Sequence, residues 1–181
     1  MTIKTYFINF KLLKKMNKKT KIDEKSEQDI ADINNILSSL DENLQFIGVT
    51  FGRSIGRTYT FRSDNKVRKY YIIGNDFGKK IAIEIETLEV FWLASKYYRM
   101  FINSSLKIFL ECMKAVNRKV SLMKSDLDDE NKKLEQEIMK EIKNIDPKAL
   151  ANDETWWAEI FEIGIIANSI NIKNMKNIPE K

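Results

Sequence analysis

Residues 79–87 read "KKIAIEIET", and how this stretch is read decides the fold. Ile81, Ile83 and Ile85 alternate with Lys80, Ala82, Glu84 and Glu86. Successive side chains of an extended chain point to opposite faces, so the spacing predicts a strand with its isoleucines in a core and Glu84 and Glu86 in water. On both sides lie similar runs: "LQFIGVTFG" (44–52), "RTYTFRS" (57–63), "NKVRKYYIIG" (65–74), "EVFWLAS" (89–95) and "KYYRMFI" (96–102). About six strands therefore follow one another between Leu44 and Ile102 with no helix among them. That order favours an antiparallel meander over a parallel sheet, which needs crossover helices. Ser63, Asp64 and Asn65 suit a hairpin turn, because Asp and Asn tolerate tight-turn backbone angles.

Helical patterns flank the strands. From Ser26 to Leu40, Ile30, Ile33, Ile36, Leu37 and Leu40 recur at three-and-four spacing, the mark of a helix with one buried face. Past the last strand, "FINSSLKIFLECMKA" (101–115) turns through an Asn-Ser-Ser corner. Ser104 or Ser105 is placed there to cap a helix whose apolar face is Leu106, Phe109, Leu110, Met113, Val116 and Val120. A further helix is expected over Asp126–Ile145, with Leu134, Ile138, Ile142 and Ile145 inward. After a break at Pro147, a last helix is expected to be capped near Asn152 or Asp153 and to project Trp156, Trp157, Ile160 and Phe161. The fold class is α+β: one domain over residues 26–170, a twisted antiparallel sheet of about six strands flanked by N-terminal and C-terminal helices. A basic arm (1–25) and a tail (171–181) complete the 181 residues.

The net charge of +5 is concentrated at the ends. Residues 1–25 carry eight lysines against Asp23 and Glu24, and residues 173–181 three lysines against Glu180, leaving residues 26–172 mildly acidic at −3. In the arm, lysines break and follow the apolar residues, the reverse of a secretory signal, and no run is long and apolar enough to span a membrane. The arm reads as a solvated segment, or as sequence ahead of a start at Met16. The alternative is a surface-seeking segment for lipid or nucleic acid, through Phe7, Phe10, Leu12 and Leu13. The single cysteine, Cys112, allows no internal disulfide, and a reducing cytoplasm is the simplest location.

The chain has no histidine, which excludes every mechanism built on imidazole. Glu84 and Glu86 are a candidate acid pair, but solvated strand carboxylates are far commoner. Cys112 sits among apolar helix neighbours with nothing to activate it, so packing is its expected role. "DLDDE" (126–130) lacks the glycine and the terminal glutamate of a calcium loop and fits an acidic helix start. "GRSIGR" (52–57) lacks the Lys-Ser/Thr of a phosphate loop. Tyr59, Tyr70 and Tyr71 beside arginines suggest base stacking, yet the acidity of the body argues against a nucleic-acid face. No catalytic residue, cofactor or metal ligand is assigned on these grounds.

Two stretches resemble the SUKH superfamily, whose bacterial members are largely immunity proteins of polymorphic toxin systems. "YYIIGNDFGKKIAIEIETLEVFWL" is similar to its core pattern: a strand ending in Ile-Gly, the Asp-x-Gly turn Asp76-Phe77-Gly78, an alternating strand, then a "V-x-x-L" strand from Val90 to Leu93. "FINSSLKIFLECMKA" resembles the Phe/Tyr-Ile-Asn-Ser-Ser-Leu segment of one immunity subgroup, and "IDPKALANDETWWAEIFEIG" its closing helix. The likeness spans about residues 26–167. Lys79 departs from it where glycine is often repeated, and Leu88 where Thr-Gly is usual.

The resemblance implies a non-enzymatic binding protein that neutralises a cognate toxin by occluding it, with no cofactor, small-molecule substrate, nucleic acid or membrane as partner. A regulatory protein-binding scaffold is the alternative within the same fold. Glu84, Glu86, Glu89, Trp92, Asp128, Asp129 and Glu130 are the candidate partner-binding residues, since acidic groups complement the basic groove of a nuclease toxin. Of Trp92, Trp156 and Trp157, two or more are expected in the core.

Overall fold

A computed structural model describes residues 27–39, 49–51, 57–63, 66–94, 98–123 and 128–164. The basic arm, the tail, most of "GRSIGR" and the Asp64-Asn65 turn lie outside the described residues. The chain divides into two compact units, Met1–Leu40 and Asp41–Lys181. In the first, helix α1 spans residues 27–38 and shows the expected amphipathic stripe, with Ile33 buried and Ile30, Ile36 and Leu37 half-buried.

The second unit is built on a six-stranded antiparallel sheet. Its strands are β1 (Val49–Phe51), β2 (Thr58–Ser63), β3 (Lys66–Asp76), β4 (Lys79–Glu84), β5 (Val90–Leu93) and β6 (Arg99–Asn103). Strands β3 to β6 form the expected meander, but β1 and β2 do not pair with each other. Both lie along one edge of the 11-residue β3, β2 opposite residues 66–71 and β1 opposite Gly74–Asp76. A Cβ on Gly74 would stand 3.0 Å from the Thr50 carbonyl oxygen, a tight contact that glycine avoids, which lets β1 approach this closely.

Three helices and a 3-10 turn complete the unit: α2 (Leu106–Val120), α3 (Asp128–Ile145), the 3-10 turn Pro147–Leu150 and α4 (Trp156–Ile163). Ser105 caps α2, its hydroxyl accepting from the Ile108 amide at 3.3 Å. Thr155, not Asn152 or Asp153, caps α4. Asn152 instead accepts from the Glu154 amide two residues on, the local bond that holds asparagine in turns. Phe109 of α2 packs edge-on against Phe51, Trp156 and Trp157, and α2 and α3 are laced by Arg118–Glu141 and Lys119–Glu137 pairs at 2.8 Å.

The sheet corrects the two-faced reading of "KKIAIEIET". Ile81, Ala82, Ile83 and Glu84 are all buried, so the face expected to be wet is a second core layer. Phe61, Tyr70, Ala82, Phe91 and Leu93 form it, in a chain of edge-to-face rings. The strand also ends at Glu84, three residues early: the Glu84 carbonyl accepts from the Leu88 amide at 2.8 Å and closes a tight turn. Leu88 takes φ +62° there, a left-handed angle that glycine adopts more readily.

Candidate functional site

Two β-bulges decide which polar side chains reach the helix-covered face. Residues directly opposite in an antiparallel pair share a face, and an unbulged β3 would set Asp76 with Tyr70, Ile72, Ala82 and Glu84. Instead the register shifts between Ile72 and Gly74, pairing Gly74 with Ile81 and Asp76 with Lys79. The extra residue turns Asp76 onto the face of Ile81 and Trp92. A second shift, between Val90 and Phe91, pairs Asn103 with Val90 and turns it onto the same face.

Once turned, Asn103 meets Asp146 at the start of the 3-10 turn. The Asp146 carboxylate accepts from Asn103 Nδ2 at 3.0 Å, the Ser104 amide at 2.7 Å, Ser104 Oγ at 3.0 Å and the Lys148 amide at 3.2 Å. Asn103 Oδ1 in turn accepts from Trp157 Nε1 at 3.0 Å. The Asn-Ser-Ser corner is thus a structural lock joining β6, α2, the 3-10 turn and α4. Cys112 lies beside it, fully buried; burial pushes its thiol up to about 12, against the opposing contact from Asn103 Nδ2. A thiol so held is not a nucleophile.

Asp76 reaches the surface side of the same face. Its Oδ2 accepts two indole hydrogens, from Trp92 Nε1 at 2.9 Å and Trp156 Nε1 at 3.0 Å. The residue is only 8% exposed; burial raises its carboxyl above the ordinary 3.8, and the two indole hydrogen bonds oppose that rise. Above it opens a groove of about 200 Å³ with walls from Phe77, Trp92, Trp156, Ile160 and Ile163, and with Lys79 and Glu159 also lining it. Phe77 is 56% exposed and Ile163 58%. Tyr98, also exposed, packs edge-on against Trp92 at 6.4 Å. Phe77 and Gly78 form the two-residue turn between β3 and β4, both left-handed, at φ +44° and +86°. An aromatic residue at the first of these positions is strained.

The sequence-derived candidates do not gather at one place. Glu84 is 1% exposed, with Arg68 at 2.6 Å, Arg99 at 3.4 Å and the Thr87 hydroxyl at 3.2 Å; it is an internal ion-pair centre and is withdrawn as a docking residue. The alternation could not reveal that a second layer covers its face. Glu86 is exposed in the turn after β4, and Glu89 is half-buried and pairs with Lys148 at 3.2 Å. Trp92 sits at the other end of β5, about 10 Å of strand away from Glu89, on the groove wall. Asp129 and Glu130 are exposed in the first turn of α3, about 25 Å of helix axis from its C-terminal end, and the Asp128 side chain lies outside the described residues. Among the described residues no group of three or more His, Cys, Asp or Glu side chains could hold a metal ion. Asp76, Phe77 and Ile163 were missed as surface candidates. The Asp-Phe-Gly turn is visible in the sequence, but the bulge that turns Asp76 toward the groove is not.

An antiparallel sheet joined through an Asn-Ser-Ser corner to helices on one face makes this a SUKH-type α+β protein. The model of the SUKH-4 immunity protein family matches residues 47–163, and the chain belongs to that family. The match takes in the whole sheet, the corner and α4, and starts beyond α1. Membership carries an immunity role and implies a cognate toxin as partner. No curated protein and no solved structure matches the chain. Among the described residues no helix is long and apolar enough to cross a membrane.

Proposed function

We propose that this chain neutralises its toxin in the cytoplasm by one-to-one occlusion, docking through the Asp76 groove, and that it makes and breaks no bond of its own. The observation that carries this reading is the concentration of exposed Phe77, Tyr98 and Ile163 with half-buried Trp92 around a concave, partly polar floor. Large apolar side chains grouped about a groove are the usual anchors of a protein interface. A strained Phe77 held out to solvent adds support, since strain persists where function needs it. A nuclease or another toxin with a basic substrate groove is the preferred partner. Exposed Glu86, Asp129 and Glu130, with Asp128 and Glu89, would steer such a toxin from outside the contact itself.

Co-expression with the toxins encoded beside it is the test. Protection and co-purification at one-to-one stoichiometry are expected with one of them, and the Phe77→Ala/Ile163→Ala double variant should lose both. If every neighbouring toxin remained lethal, the reading would fail. If protection persisted unchanged in the double variant, docking through the groove would fail.

A further inference from the structure

The floor of the groove is a carboxyl group with no ion-pair partner among the described residues. Asp76 accepts two neutral indole hydrogens on Oδ2, and among the described residues no Lys or Arg lies within ion-pair distance of it. No donor to its other oxygen, Oδ1, stands among those hydrogen bonds, although the residue is over nine-tenths buried and lines the groove. A buried carboxylate without a counter-charge is unfavourable and makes the position a receptor for positive charge. The walls add to this: exposed Phe77 and half-buried Trp92 offer aromatic surface, whose π-faces attract cations, and a planar guanidinium stacks on such surface better than an ammonium does.

Resting on the docking face proposed above, we infer that the groove is a receptor for one arginine side chain of the toxin, its guanidinium stacked between the aromatic walls and donating to Asp76 Oδ1. Lys79, exposed on the same groove, is the only competing cation that lines it among the described residues. It stands across the two-residue turn from Asp76 as the first residue of β4, and among the described residues it forms no ion pair with Asp76 or Glu159. The binding energy of such a contact comes from bringing a desolvated charge pair together inside an aromatic frame, so losing the carboxylate costs more than losing a rim charge.

The three tryptophans supply the test, because each indole N–H gives its own NMR signal. N-acetyl-arginine methylamide is titrated into the full chain, with the N-acetyl-citrulline derivative as the uncharged isostere. The Trp92 and Trp156 signals are expected to move with arginine and not with citrulline, while Trp157, bonded to Asn103, stays in place. Asp76→Asn keeps an oxygen for the indoles and removes the charge; it should abolish the arginine response, and Glu159→Gln should keep it. Unmoved Trp92 and Trp156 signals, an equal response to citrulline, or a full response in Asp76→Asn overturns the arginine site. A Lys79→Met variant that responds no differently from the wild type confirms that Lys79 does not fill the groove; a response that appears only in that variant overturns the assignment to a partner's arginine.

The toxin arm separates this inference from the immunity reading. Against a toxin that the wild type neutralises, Asp76→Asn should bind at least tenfold more weakly with an unchanged circular dichroism spectrum. Equal binding overturns the arginine contact while immunity stands. Lack of protection by the wild type fails the immunity reading, and the arginine titration then decides the site alone.

Discussion

Asp146 and Asp76 are both buried carboxylates, and the molecule uses them in opposite ways. Asp146 is saturated, accepting from two backbone amides, a hydroxyl and a side-chain amide, and it ties segments more than 40 residues apart in sequence. Asp146→Ala leaves Asn103, the Ser104 amide and its hydroxyl without their acceptor, a loss of about 2–4 kcal/mol that urea unfolding would measure. Asp76 is poorly compensated, and its raised pKa sets a pH dependence. A carboxyl whose folded pKa lies above its unfolded value stabilises the fold most when protonated, below the unfolded value near 3.8, and that contribution is lost as pH rises through the folded pKa. Relative to wild type, Asp76→Asn should therefore gain in melting temperature from pH 3 to pH 7; a constant difference across that range would show that Asp76 is not destabilised by its burial. Neither role is written in the local sequence. "GNDFG" and "NIDPK" name the residues, but only the strand register and the fold's long-range contacts assign one a full set of donors and the other two indoles.

At the level of the element, the β3–β4 turn carries the conflict between stability and use. Its two left-handed positions suit Asn-Gly, and the chain has Phe-Gly. Phe77→Asn should raise stability by about 1 kcal/mol by relieving the strained angle, and should weaken toxin binding at least tenfold by removing an anchor. A variant that is both more stable and fully protective would show that Phe77 has no part in docking. Caps were readable to within a few residues: the Ser104/Ser105 alternative resolved to Ser105, while the α4 cap moved from Asn152 or Asp153 to Thr155. Ser105→Ala should cost about 1 kcal/mol in thermal or urea unfolding. The strands were readable as strands, but "KKIAIEIET" misled about its second face, because periodicity reports which residues share a side and not what covers it.

For the whole molecule, the family match over residues 47–163 covers the sheet and its three helices. A chain beginning at Ser26 is accordingly expected to protect as well as the full chain in the co-expression assay, and loss of protection would give the lysine-rich arm a role in neutralisation. The sequence by itself determined the α+β class, the run of six strands, the helix-starting corner and the absence of imidazole chemistry, because alternation, three-and-four spacing and composition are local properties of a chain. Tertiary structure alone decided that β1 skips β2 to join β3, that Glu84 is an internal ion-pair centre, and that Asp76 faces a groove between two tryptophans. The physical reason is that each depends on contacts distant in sequence: strand pairing places β1, a second layer of side chains covers Glu84, and a one-residue bulge, which reverses every side chain beyond it, turns Asp76.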